Sequence, residues 1–151
     1  MLDDTDRRIL RNMQAEPGLS TADLAQKAGV TTAVCWRRLS RLRENGVLIG
    51  QEAVIDWRAL GYEVEVSLRF TLDKTQRNAF DEFLTAAREV PEVIEIQTFL
   101  GRVDVRLNVL ARDMAHYQDL YRTRILTLPH INDIEALMQI ATIKSGEVLP
   151  L

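Results

Sequence analysis

The chain has 151 residues, 46% hydrophobic and 27% charged, a balance that suits one ordinary domain or two small ones and excludes a disordered or fibrous chain. A single cysteine, Cys35, excludes an intrachain disulfide framework, and no apolar run reaches the ~20 residues a bilayer demands, so the cytoplasm is the expected compartment. The formal net charge of −3 speaks against a nucleic-acid binder only until it is divided: residues 1–60 hold nine Lys or Arg against eight Asp or Glu, whereas residues 61–151 hold ten against fourteen.

Leu2, Ile9, Leu10 and Met13 recur at helical spacing behind Asp3, Asp4 and Asp6, acids that suit the positive end of a helix, which predicts a first helix over 3–14. Pro17 and Gly18 break it. Ser20 then stands three residues before Asp23 in the manner of a capping box, opening a second helix that runs to about Ala28 and stops at Gly29. Thr31 or Thr32 caps a third helix, with Cys35, Leu39 and Leu42 at i, i+4 and i+7, which ends near Asn45 and Gly46. Two helices joined by a turn of about three residues have the spacing of a helix-turn-helix, and Ala25 is small enough for the point where they cross. The triplets 47–49 and 53–55, with Gly50 between them, predict a short β-hairpin, or wing.

The third helix carries the chain's densest positive charge. Arg37, Arg38, Arg41 and Arg43 stand against Glu44 alone. The face opposite the apolar stripe presents Thr32, Ala33, Trp36, Arg37, Ser40, Arg41 and Arg43. With Thr31 and with Thr21 at the start of the second helix, these are the expected contacts to double-stranded DNA. A solvated helix is often charged, but four arginines to one acid favour a phosphate-facing surface. Trp36 is expected either beneath the wing or stacked on DNA, and Cys35 lies on the core side as a small hydrophobe.

From residue 63 to 72 the side chains alternate as in a half-buried strand. Phe80, Phe83, Leu84 and Ala87 then mark a helix over 76–90 that Pro91 stops. Strands over 93–100 and 103–111 follow, joined by the two-residue turn Gly101 and Arg102. Asp113 caps a helix containing Tyr117, Leu120, Tyr121, Ile125 and Leu128, and 131–143 supplies a last strand. The order βαββαβ is ferredoxin-like, with both helices on one side of an antiparallel sheet. The other side, assigned Val66, Leu68 and Phe70 or their alternates, would then need a second subunit to cover it, giving a dimer through the sheets. The fold class is therefore α+β. A winged helix-turn-helix with its linker hairpin occupies residues 1–60, and a ferredoxin-like domain that forms a dimeric α/β sandwich occupies 61–151.

The motifs Leu2-Asp3-x-x-Asp6-x-x-Ile9-Leu10, Leu24-Ala25 with Gly29, Thr31-Thr32-Ala33-Val34-Cys35-Trp36-Arg37-Arg38-Leu39 leading to Leu42 and Gly46, Gly101-x-x-Asp104, Leu128-Pro129 and Leu149-Pro150 span nearly the whole chain. Together they resemble the leucine-responsive and asparagine-regulator (Lrp/AsnC) family of transcription factors, and the third-helix stretch resembles a branch in which a regulator of cysteine catabolism occurs. The resemblance implies a homodimer that assembles into tetramers, octamers or larger discs, with amino-acid effectors bound between dimers. It also implies that the turn between the second and third strands lines the effector site. Gly101 and Asp104 fit that pattern, with turn amides for a ligand carboxylate and Asp104 for its ammonium. Arg102 and Val103 depart from it, a cation replacing the usual acid and a valine the usual aromatic. Glu135, where the family often has Ser or Thr, and Ala136 complete the implied effector set.

Two other functions compete with this reading. An enzyme would need a constellation that the sequence lacks. Its two histidines, His116 and His130, have no metal-ligand spacing and no nucleophile beside them, so no catalytic residue, metal or cofactor is expected. An architectural protein that coats DNA without an effector would use the same reader and the same oligomer.

Overall fold

Ser20, Gly29 and Thr31 act at the helix ends as the sequence predicts, and Asp3, expected inside the first helix, is its cap. Asp3 caps α1 (Asp4–Ala15): its carboxylate accepts from the Asp6 N–H at 2.8 Å, while Asp6 Oδ2 accepts from the Asp3 N–H at 3.1 Å, a complete capping box. Ser20 caps α2 (Thr21–Ala28) by accepting from the Asp23 N–H, and here the acid takes the serine hydroxyl at 2.6 Å instead of reaching back to the backbone. Gly29 stops α2 at φ 69°, a left-handed conformation that would cost a residue with a Cβ about 1–2 kcal/mol. Thr31, not Thr32, caps α3 (Thr32–Glu44).

The computed structural model describes residues 1–146 and 148–151 and falls into two compact units, one of residues 1–54 with 144–151 and one of residues 55–143. In the first unit Ile9, Leu24, Ala25, Ala28, Cys35 and Leu39 form a shared core, with Met13, Leu19, Val30 and Leu48 at its margin. The expected division at residue 60 differs from this one at the C-terminal end. Residues 144–151 join the helices because Leu149 N–H donates to Gln14 Oε1 at 2.7 Å and the Arg11 guanidinium donates to Leu151 O at 2.9 and 3.1 Å.

The expected wing hairpin does not form. Among the described residues none between α3 and residue 63 is in a strand. The Val47 and Leu48 N–H groups both turn back to the Leu42 carbonyl, at 2.9 and 3.0 Å, around Gly46 at φ 68°, so the first triplet's donors close the helix and do not pair with a neighbour. Leu48 reaches the core, whereas Ile49, Val54 and Ile55 remain exposed.

The second unit runs β1 (Val64–Leu72), α4 (Ala79–Arg88), β2 (Val93–Thr98), β3 (Val105–Ala111), α5 (Met114–Leu120), a π-helical turn (Tyr121–Ile125) and β4 (Ile131–Met138). The sheet order is β2-β3-β1-β4, antiparallel throughout, as a split βαβ arrangement requires. The helix predicted after Asp113 is α-helical only as far as Leu120. The Leu126 N–H then bonds to the Tyr121 carbonyl at 2.9 Å, five residues back, and Ile125 and Leu128 stay buried. β4 stops at Met138, opposite Val66 and short of the predicted residue 143, and beyond it the Gln139 N–H bonds to the Glu65 carbonyl at 3.0 Å. Ile140 and Ile143 are each 95% exposed.

Val66, Leu68, Phe70 and Leu72 on β1 pack with Val105, Leu107 and Val109 on β3 beneath α4 and α5, and the Phe70 and Phe83 rings lie 4.9 Å apart. Burying each such side chain contributes about 1.5–3 kcal/mol. This result corrects the argument for a dimer through an apolar sheet face, because Val66, Leu68 and Phe70 are fully covered within one protomer. The alternate face carries Glu65, Ser67, Arg69 and Thr71 on β1, opposite Leu110, Asn108 and Arg106 on β3 and beside Leu137, Glu135 and Asp133 on β4; it is mainly polar, with the Ser67 Oγ buried and without a partner.

The predicted two-residue turn between β2 and β3 is a six-residue loop over 99–104, closed by a Phe99 N–H bond to the Asp104 carbonyl at 2.9 Å. Asp104 is buried. Its Oδ2 accepts from the Leu72 N–H and its Oδ1 meets Lys74 Nζ, both at 2.9 Å, while its own N–H donates to the Phe70 carbonyl. The carboxylate thus holds the irregular end of β1, where the pairing with β4 shifts register between Thr71 and Leu72. Burial pushes the Asp104 carboxyl up, but the Leu72 N–H and the Lys74 ammonium outweigh it and hold it below the ordinary 3.8.

Asp104→Ala strands the Leu72 N–H and is expected to lower stability by about 1–3 kcal/mol, read as a lower urea midpoint. A carboxyl lowered by folding stabilises above its unfolded value and loses that contribution as pH falls. The wild-type midpoint should therefore drop more steeply than that of Asp104→Ala below pH 3.8.

Candidate nucleic-acid interface and ligand face

Helix α3 is fixed at both of its contacts with the rest of its unit. The Gly29 and Val30 N–H groups close α2 on the Gln26 and Ala25 carbonyls at 3.1 and 3.0 Å, which turns the chain directly into the Thr31 cap. Cys35, Leu39 and Leu42 face inward and are buried, and burial pushes the Cys35 thiol up, so it stays an inert thiol. The opposite face presents Thr31, Thr32, Ala33, Trp36, Arg37 and Arg43 to solvent, with Ser40 half-buried at its edge and Thr21 half-buried at the start of α2. Trp36 is 63% exposed and has no wing above it.

Arg41 stands apart from the other expected DNA contacts. Its Nη2 lies 2.6 Å from Oδ2 of Asp6, a fully buried residue whose Oδ1 is 3.2 Å from Arg38 Nη1; Arg38 also pairs with Asp3. Asp6 therefore occupies the helix interface with a guanidinium on each oxygen and joins α1 to α3. The backbone N–H of Asp6 and the Arg38 guanidinium hold the Asp3 carboxyl down at about 2. A signal for this arrangement was present in the sequence. Asp6 shares the helical face of Ile9 and Met13, at i, i+3 and i+7, and an acid inside an apolar stripe requires a cation from the helix that packs on it. Among the described residues Arg37 and Arg43 make no ion pair, so they are the α3 guanidiniums left for phosphate.

The expected effector residues are only partly brought together. Gly101, at φ 151°, and Arg102 lie exposed at the tip of the 99–104 loop, where the Arg102 carbonyl accepts from Thr71 Oγ1 at 3.1 Å. Asp104 is buried, and each of its carboxylate oxygens has a partner within the fold. Glu135 and Ala136 are successive residues of β4 and so lie on opposite faces, Glu135 in register with Arg69 and Ala136 with Leu68. Val103 does line a cavity. It borders a pocket of about 220 Å³ on the polar sheet face together with Phe99, Arg69 and Arg106. Arg69 and Arg106 carry no sequence signal beyond the solvent side of an alternating strand, and Phe99 stands in the loop after β2.

Among the described residues no group of three metal-ligating side chains converges, and no helix is long and apolar enough to cross a membrane. The histidines have local roles. His116 Nδ1 accepts from the Arg112 N–H at 3.1 Å with Nε2 3.4 Å from Glu92, and His130 Nε2 lies 2.6 Å from Glu82.

Residues 65–149 match the family described as the Lrp/AsnC ligand binding domain, and residues 2–49 match the winged helix-turn-helix DNA-binding family. The chain is 32% identical to the DNA-binding transcriptional activator DecR of Escherichia coli (strain K12), covering 100% of this chain and 99% of DecR. Two solved structures share its fold over nearly their whole length. An AsnC family transcriptional regulator from Agrobacterium tumefaciens superposes with a TM-score of 0.87 at 32% identity, covering 99% of this chain and 97% of that one. A feast or famine regulatory protein from M. tuberculosis complexed with L-methionine superposes with a TM-score of 0.84 at 26% identity, covering 97% of each.

The clamp makes the α3 arginines unequal. Arg41→Ala should lower the melting temperature, at a cost of about 1–3 kcal/mol, because it removes one partner from a buried carboxylate. Arg37→Ala should leave it unchanged. Asp3 is lowered by folding, so its share of the clamp is complete at neutral pH and fades as pH falls from 3.8 towards 2. Thermal melts of the two variants and of wild type across that interval check all three statements.

Proposed function

The chain belongs to the Lrp/AsnC family of transcription regulators, and from that membership we propose how it reads DNA and what it answers to. Helix α3 enters the major groove with Thr32, Ala33 and Trp36 against base edges and with Arg37 and Arg43 on the flanking phosphates. The Thr31 hydroxyl accepts from the Val34 N–H and keeps its own proton to donate to a phosphate. The observation that carries this reading is the division of the α3 guanidiniums, two locked on Asp6 and two bare beside an exposed tryptophan. Arg41 then acts on DNA indirectly, by holding the reading helix against α1.

The second half of the proposal concerns control. The effector is an amino acid, supported by the ligand-binding family match and by the methionine complex of a relative. The likeness to a cysteine-catabolism branch puts L-cysteine beside L-methionine at the head of the candidates. The working form in the cytoplasm is a homodimer that assembles to tetramers or octamers, which places two readers on half-sites about 10 base pairs, or a multiple of that, apart.

Arg37→Ala and Trp36→Ala should each weaken binding to an operator fragment roughly tenfold or more at fixed salt, about 1–3 kcal/mol, with the melting temperature unchanged. Fluorescence anisotropy and thermal melts on the same preparations test this, and unaltered affinity in both variants sinks the α3 assignment. A nuclease footprint separates a regulator, which protects one or two short sites, from an architectural protein, which protects long tracts whatever their sequence.

A further inference from the structure

Helix α3 ends on Asn45, its C-cap, and Gly46 follows directly. Asn45 is exposed, and its carboxamide makes no hydrogen bond among the described residues. The residue borders a cavity of about 290 Å³ beside Leu2 and Val47, which gives water access to it. Gly46 stands at φ 68°, and the place where a Cβ would sit has no atom within 4 Å. Nothing on that residue therefore shields the peptide nitrogen that follows Asn45. Its N–H is held by one bond, to the Arg43 carbonyl at 3.0 Å, in the last turn of the helix, where opening costs least. The other asparagines, Asn12, Asn78, Asn108 and Asn132, are each followed by a residue with a Cβ. The Asn12 and Asn108 amides are also engaged, with the Arg8 carbonyl and the Glu65 carboxylate.

We propose that Asn45 is a site of spontaneous modification, converted to aspartate and isoaspartate through a cyclic imide formed with the Gly46 nitrogen. When the last turn opens, that nitrogen gives its proton to hydroxide and attacks Asn45 Cγ. A C–N bond forms, and the side-chain nitrogen leaves as ammonia with a proton taken from water, which returns the hydroxide. Water then opens the ring. Attack at Cγ leaves aspartate on the original main chain. Attack at the Asn45 main-chain carbonyl carbon leaves isoaspartate, with the chain routed through Cβ and Cγ. Water is the only co-reactant, and nothing is oxidised or reduced.

Both products place a carboxylate at the C-terminal end of α3, the end that the helix dipole makes unfavourable for an anion. It stands two residues from Arg43, so it competes for a guanidinium left for phosphate and repels the phosphate itself. Isoaspartate also adds a methylene to the chain between the Leu42 carbonyl and the Val47 and Leu48 amides that close on it, which loosens Leu48 from the margin of the core. The modification rests on Asn45 and Gly46 alone, whereas its effect on DNA rests on the α3 reading above. The change runs one way, so an aged molecule reads DNA more weakly than a fresh one.

The test ages the full chain at mildly alkaline pH, folded and in parallel unfolded in urea, as wild type and as Asn45→Ser. Peptide mapping by mass spectrometry locates each amide that has become an acid, and an isoaspartate-specific methyltransferase counts the isoaspartate. Folded wild type should convert at Asn45 faster than at any other asparagine, and no more than about tenfold slower than the unfolded chain. Slower conversion than that, or none, overturns the site. Aged wild type and fresh Asn45→Asp should bind an operator fragment about threefold or more weaker than fresh wild type, while aged Asn45→Ser keeps its affinity. Unchanged affinity in both aged wild type and Asn45→Asp overturns the effect on DNA and leaves the modification standing. If Arg37→Ala and Trp36→Ala bind normally as well, it is the α3 reading that has failed.

Discussion

A carboxylate taken out of water must regain from the protein every partner that water supplied, and each unit of this chain is organised around one group under that constraint. Asp6 and Asp104 are the buried charged residues among those described, one among the helices and one in the sheet domain. Each joins elements far apart in the sequence. Asp6 is the N3 residue of α1 and collects two guanidiniums from α3, more than thirty residues away, which sets α3 against α1. Asp104 leaves the β2–β3 loop to hold an amide and an ammonium at the end of β1. Polar groups satisfied in this way specify position more sharply than apolar contacts, since a shift of one residue strands a charge.

Element order and the inward faces of the helices were legible in the sequence because each carried a local physical signal. The acids that open α1, the caps at Ser20 and Thr31, the stop at Gly29 and the alternation along β1 all act within a few residues of where they are written. What escaped depended on partners. The triplets around Gly50 have the composition of a hairpin, but the Val47 and Leu48 amides close α3 on Leu42 instead. Ending the helix that begins at Asp113 as early as Leu120 depends on the Leu126 N–H reaching the Tyr121 carbonyl, which no local signal announces. The apolar face of β1 is legible, but which of its two faces the helices cover is decided only by packing, and Val66, Leu68 and Phe70 lie beneath them.

The same division runs through the candidate sites. The exposed row of Thr32, Ala33, Trp36 and Arg37 follows from helical geometry once Cys35, Leu39 and Leu42 are assigned to the core. Arg41 lies on the same outward arc by periodicity and is withdrawn from it by an acid on another helix. In the sheet domain the motif residues Gly101 and Asp104 point to the loop, whereas the pairing of the strands sets Arg69 opposite Arg106 on the second face of the sheet. Strand register, which brings those two together, is a property of pairing and not of either strand alone.

The return of residues 144–151 to the helices means that the reader is not one stretch of chain. Gln14 and Arg11 find partners more than 130 residues downstream, so the sheet domain is, in topology, an insertion within the reader. Grafting the first sixty residues onto another sensor would transfer the recognition helix but leave part of its support behind. The exchangeable module is the interior segment, cut at both of its joins.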